Sequence, residues 1–89
     1  MKVTIDAGEF NTVGEFHELL KEKLDFPESY ADTLDELWDC LMNHCSMPLS
    51  LYWIDFETSK TLIGEPIDEI VELLNEAHDE ISDFIIEFQ

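Results

Sequence analysis

Asp35 and Asp39 stand four residues apart in a stretch whose apolar residues, Leu34, Leu37, Trp38 and Leu41, repeat at helical spacing. Both carboxylates therefore project from one side of a helix, with Asp32 one turn earlier. Like charges at that spacing destabilise a helix by a few tenths of a kcal/mol. No cation is near to offset this, the closest lysines in sequence being Lys23 and Lys60. Such a pair is either a solvated surface, ordinary in a chain with 22 acidic residues, or an array of acceptors for cationic groups on a partner. Tyr30 in the adjoining loop and Trp38 beside Asp39 favour the second, because aromatics among acids are typical of tight interfaces. Trp38 also fits the core on the Leu34/Leu41 face, and at the edge of that face it can serve both roles.

Other chemistries fare worse. The chain has no Ser/His/Asp order, no HExxH, no Gly-rich phosphate loop and no DxDxDG calcium loop. Paired carboxylates abound, but with 22 acids any pairing lacks specificity for acid–base catalysis, so no enzyme is expected. Cys40, His44 and Cys45 are close enough to suggest a metal, with His17 or His78 as a fourth ligand. The simpler reading makes Cys40 a small buried hydrophobe beside Leu41 and His44 a helix C-terminal cap. No metal and no cofactor are expected. Asp32-Thr33-Leu34-Asp35 is similar to the Asp-Ser-Leu motif of acyl carrier proteins, but threonine replaces the attachment serine. The strands and both tryptophans also oppose a four-helix carrier fold, and Thr33 is better placed as a helix cap.

The elements that must hold these residues follow from periodicity and punctuation. Met1, Val3 and Ile5 alternate with polar residues, which predicts a strand ended by Gly8. Thr12-Val13-Gly14-Glu15 has the spacing of a capping box, opening a helix to about Leu24 with Lys21 and Lys23 in its last turns. A loop around Pro27 leads to a second capping box, Thr33 to Glu36, and a helix ending near Asn43 or His44. Leu49–Ile54 reads as a central strand. Asp55 caps a short helix to about Ile63, ended by Gly64. Pro66 opens a last helix to about Ile81, and Phe84–Phe88 is the final strand. The order β-α-α-β-α-α-β predicts a two-layer α/β domain spanning 1–89, with three parallel strands and four helices.

Composition narrows the partners. Twenty-two acids against four lysines and no arginine leave a formal charge of −18, yet 45% of residues are hydrophobic and 11% aromatic, so the chain folds rather than remaining a disordered acidic tail. Four scattered lysines cannot displace counterions from nucleic acid or bind an anionic membrane. Met1–Asp6 lacks the apolar run and small-residue site of a signal peptide, and two cysteines do not make a disulfide scaffold, so a reduced cytoplasmic setting is expected. The charge favours a basic protein partner met by electrostatically steered association.

The stretch Tyr30-Ala31-Asp32-Thr33-Leu34-Asp35-Glu36-Leu37-Trp38-Asp39-Cys40-Leu41 resembles the central motif of the barstar family of ribonuclease inhibitors, Tyr-Gly-x-Asn-Leu-Asp-x-Leu-Trp-Asp-Cys-Leu. Leu24, Phe26-Pro27-Glu28, Pro48-Leu49 and Phe56-Glu57-x-Ser59-Lys60 extend the resemblance over essentially the whole chain. The family fold, three parallel strands and four helices, agrees with the element order above.

The resemblance implies an intracellular immunity-type inhibitor of a basic, secreted, barnase-like guanyl-specific ribonuclease, monomeric when free. The second helix and the loop before it would plug the nuclease active site. Asp39 would take the place of a substrate phosphate, and Asp35 would pair with a basic residue of a guanine-recognition loop. Tyr30 and Trp38 would give apolar contact, and Glu76, on the last helix, a further acidic one. Four positions depart from the family pattern at the rim: Ser29 for a second tyrosine, Ala31 for glycine, Thr33 for an asparagine cap, and His44 for an aromatic. Ala31 should avoid a left-handed conformation, and Met42 is a plastic apolar contact if exposed. The expected partner-binding set is thus Ser29, Tyr30, Thr33, Asp35, Trp38, Asp39, Met42, His44 and Glu76. The alternative is an acidic nucleic-acid mimic or adaptor for some other basic protein, which needs only the overall charge.

Overall fold

Leu49–Ile54 forms β2, and its alternation decides the layering: Leu49, Leu51 and Trp53 are buried while Ser50, Tyr52 and Ile54 are only half-covered. The computed structural model describes all 89 residues. β1 (Lys2–Asp6) and β3 (Phe84–Phe88) flank β2, both parallel to it, in the order β1-β2-β3. Register sets Val3 beside Leu51 and Ile5 beside Trp53 on one side, and Leu49 beside Phe84 on the other. One face of the sheet thus becomes a continuous apolar floor, and the helices cover it.

Those helices are α1 (Val13–Leu24), α2 (Leu34–Asn43), α3 (Phe56–Ile63) and α4 (Pro66–Glu80). α1 buries Phe16, His17, Leu20 and Leu24; α2 buries Leu37, Cys40 and Leu41; α4 buries Ile67, Ile70, Leu74 and Ala77. These are the 3- and 4-residue spacings of amphipathic helices. The expected architecture, three parallel strands with four helices, is the one observed. Trp53 sits fully buried at its centre, stacked on Phe16 at 5.2 Å and edge-on to Phe56 at 5.1 Å. Its indole nitrogen donates to Ser59 Oγ at 2.9 Å, so the one polar atom of the ring is satisfied.

Local details differ from expectation in four places. Thr12 and Thr33 do cap, their hydroxyls accepting from Glu15 N and Glu36 N at 3.1 Å. The reciprocal half of each box does not form. Glu15 instead accepts from Asn11 N, and Thr33 N donates to the Ala31 carbonyl at 2.8 Å. A complete capping box appears at Asp6–Glu9, where a single 3-10 turn, Ala7–Glu9, follows β1. Asp55 occupies the N-cap of α3 in a left-handed conformation (φ 57°), not the extended one of a capping residue, and makes no side-chain cap. α4 ends where expected, at Glu80 with Ile81 as its C-cap.

Candidate functional site

α2 is held by its inner face, which leaves its outer face for chemistry. Leu37, Cys40 and Leu41 are buried, whereas Asp35 and Asp39 are exposed. Thr33 fixes the first turn through its hydroxyl, and the main-chain N–H of His44 closes the last by donating to the Cys40 carbonyl at 2.9 Å. The two aspartates therefore project from a helix anchored at both ends. Neither has a cationic partner: the chain's single ion pair joins Lys23 to Glu9 at 3.3 Å, away from α2. Asp39 Oδ1 accepts one bond, from the Asn43 side-chain amide at 2.7 Å. That neutral donor fixes the carboxylate's orientation without cancelling its charge. Asn43 was not singled out in the sequence, although its position four residues after Asp39 could have revealed it.

α4 packs beside α2, and a groove opens between them. Leu34, Asp35 and Trp38 line it from α2; Glu69, Glu72, Leu73 and Glu76 line it from α4. Asp35, Trp38 and Glu76, separated by up to 41 positions in sequence, are brought together here. Trp38 is half-buried, packed on the core by one side and open to the groove by the other. Glu69, Glu72 and Leu73 are the groove residues that sequence reasoning missed. Their 3- and 4-residue spacing on α4 was legible, but which element that face meets is a tertiary matter.

The remaining expected contacts divide. Ser29 and His44 are exposed, Met42 is half-buried against the core, and Thr33 is exposed while engaged as a cap. Ala31 has no left-handed backbone, as its side chain requires. Tyr30 is turned mostly inward. It is only 6% exposed, its hydroxyl shares a 2.6 Å hydrogen bond with His17 Nδ1, and its ring lies 4.8 Å from that of Phe26. A buried hydroxyl with a partner and a ring in the aromatic cluster draw the side chain inward, so Trp38 is the more open aromatic at this face. Burial lowers the His17 pKa, with Asp32 acting in the opposite sense, and raises that of Tyr30.

The cysteines sit behind this face. Burial pushes the Cys45 thiol up to about 11, with Cys40 adding to the shift. Burial also raises the Cys40 thiol, aided by Asp39 and Glu36. Both thiols are thus protonated at neutral pH. His78 Nδ1 donates a 2.5 Å hydrogen bond to the Phe84 carbonyl, and His17 is hydrogen-bonded to Tyr30. No three His, Cys, Asp or Glu side chains converge in a way that could hold a metal ion. No helix is long and apolar enough to cross a membrane.

Comparison with known proteins bears on this arrangement as a whole. A family model described as "Barstar (barnase inhibitor)" matches residues 1–89. A Bacillus subtilis (strain 168) protein named "Putative ribonuclease inhibitor YrdF" is 42% identical over 82 residues, which is 92% of this chain and 90% of the relative.

Proposed function

The chain belongs to the barstar family, and from that premise we propose that it inhibits a barnase-like, guanyl-specific ribonuclease by seating the outer face of α2 in the enzyme's active site. The observation that carries this reading is the pair Asp35 and Asp39, exposed on one side of an anchored helix with no cation of their own. A carboxylate accepts the same charge-assisted hydrogen bonds as an RNA phosphate. Asp39 stands in for that phosphate among the nuclease's cationic side chains, and Asp35 meets a basic residue of the base-recognition loop. No internal ion pair has to be broken first. The Asn43 amide holds Asp39 in place beforehand, which lowers the ordering cost of binding.

Trp38 supplies the apolar contact and Glu76 a further acidic one across the groove. Ser29, Met42 and His44 make the rim, with Thr33 as the cap that fixes the helix start. A charge of −18 speeds the approach of a basic enzyme and opposes self-association, so the free protein is a monomer. Acting in the cytoplasm, it protects the producing cell from its own secreted nuclease.

The test is RNA hydrolysis by barnase titrated with the protein. The wild type abolishes activity at equal molar amounts, and Asp39→Ala does not. If Asp39→Ala inhibits as well as the wild type, phosphate mimicry by this helix is wrong. If reversing acids scattered over other faces weakens inhibition as much as changing Asp35 or Asp39, the protein is a general acidic mimic instead.

A further inference from the structure

Cys40 and Cys45 are the chain's two cysteines, both are free thiols, and the function proposed above leaves them without a role. Cys40 lies on the inner face of α2 at 1% exposure. Cys45, half-buried just past the helix end, packs against the same core. In a continuing α-helix, residues five apart stand about 7.5 Å apart along the axis and on different faces. The chain does not continue in that way. The main-chain N–H groups of His44 and Cys45 both donate to the Cys40 carbonyl, at 2.9 and 3.1 Å, so residues 40 to 45 close one wide turn. One turn advances about 5.4 Å, which falls within the roughly 4.4–6.8 Å over which a disulfide joins two Cα atoms. The two thiols also sense one another, Cys40 adding to the upward shift of Cys45. Asn43 lies inside this turn and Asp39 just outside it, so the shape of the turn sets how the Asn43 amide meets the Asp39 carboxylate.

We propose that Cys40 and Cys45 form a reversible disulfide across the last turn of α2, which draws Asn43 away from Asp39 and weakens inhibition. The effect on inhibition rests on the inhibitor reading above; the bond itself does not. The oxidant is a small-molecule disulfide of the glutathione type. Cys45, the more open thiol, gives its proton to solvent, and its thiolate attacks one sulfur of the oxidant, forming a mixed disulfide and releasing one thiolate. The Cys40 thiolate, its proton likewise lost, then attacks Cys45 Sγ; the internal bond forms, the mixed bond breaks and a second thiolate leaves. The two released thiolates take up two protons, so two protein thiols are oxidised while one disulfide is reduced to two small thiols. The bond holds the two Cβ atoms about 3.5–4.5 Å apart, and the residues between them adjust to that span. Because both thiols are protonated at neutral pH, the reaction is slow there and quickens as pH rises toward about 11. A reducing compartment keeps the turn open and an oxidising one closes it.

Oxidised glutathione serves as the probe, applied to the full chain as wild type, Cys45→Ala and Asn43→Ala. By mass the wild type should lose two hydrogens and stay monomeric, with no free thiol left, and dithiothreitol should restore both thiols. The rate should rise about tenfold per unit between about pH 7 and pH 9, as the thiolate fraction does. Cys45→Ala should form no internal bond. A wild type that stops at the mixed disulfide, links only to other copies or does not react at about pH 9 overturns the pairing. Oxidised wild type should inhibit barnase roughly three- to tenfold less tightly than the reduced form, the scale of losing the Asn43 hold on Asp39. In Asn43→Ala, where that hold is already gone, oxidation should change inhibition by less than about twofold. Equal inhibition by both forms of the wild type, or the same loss in Asn43→Ala, overturns the link to Asp39. If the reduced wild type does not inhibit barnase, the inhibitor reading falls. The mass, and the NMR signals of the Asn43 side-chain amide, which should shift on oxidation, then decide the pairing and its effect on Asn43 by themselves.

Discussion

His17 and Tyr30 meet in the core behind the loop that leads into α2, while a few residues further on Asp39 and Asn43 meet on its surface. Both are short hydrogen-bonded pairs, 2.6 and 2.7 Å, yet they do opposite things. In the first, both groups are buried and satisfy one another, so the pair ties α1 to the loop. In the second, a neutral amide orients an exposed charge and leaves it unneutralised. The same contrast holds between Tyr30 and Trp38, two rings eight positions apart, one turned in and one left at a groove. Burial spends polar groups on stability, and exposure with orientation keeps them for binding.

The contrast can be broken experimentally. Asp39→Ala should raise the inhibition constant at least about a hundredfold, the scale of losing more than one charge-assisted hydrogen bond. Its melting temperature should stay within about 3 °C of the wild type, as for most surface substitutions. Titration of barnase activity and thermal unfolding measure the two halves. Tyr30→Phe should do the reverse. It strands the buried His17 Nδ1 and costs roughly 1–3 kcal/mol, lowering the melting temperature while inhibition by the folded protein is kept.

Asn43→Ala sharpens the comparison at smaller scale. Freed from its amide, Asp39 samples more rotamers, and binding should weaken by roughly 0.5–1.5 kcal/mol with the loss in affinity and not in fold. Calorimetry of the complex reads this directly. The smallest effect concerns pH. Because burial lowers the His17 pKa, the unfolded chain, with its ordinary value of 6.5, takes up this proton before the folded chain does. Stability from this group is therefore complete above 6.5 and declines as pH falls from 6.5 toward the lower folded-state value. Between about pH 7.5 and pH 5.5 the melting temperature of His17→Gln should fall less than that of the wild type. Parallel slopes would show that His17 is not buried as a neutral ring.

The elements were legible because their signals are local. Val3 and Ile5 alternate and end on β1; Leu34, Leu37 and Leu41 repeat and form α2; Pro66 opens α4. The threonine caps were legible too, since a hydroxyl three residues before a free N–H has little choice. What failed was the second half of each capping box, where Asn11 N and the Ala31 carbonyl offered competing partners. Asp55 failed similarly, its backbone taking a left-handed turn between β2 and α3. Tyr30 could be flagged as an aromatic beside acids but not oriented, because its partner His17 lies thirteen residues away, on α1.

Helix and strand positions, the spacing of Asp35 and Asp39, and the excess of acid over base were settled by the order of residues alone, since each depends on neighbours within a turn or two. Which ring faces inward, which wall Glu69, Glu72 and Glu76 form, and that Asp35 and Glu76 share one groove were settled only when α1, α2 and α4 packed on the sheet. The reason is physical: burial and groove shape arise between segments distant in sequence, and no local periodicity encodes which faces will meet.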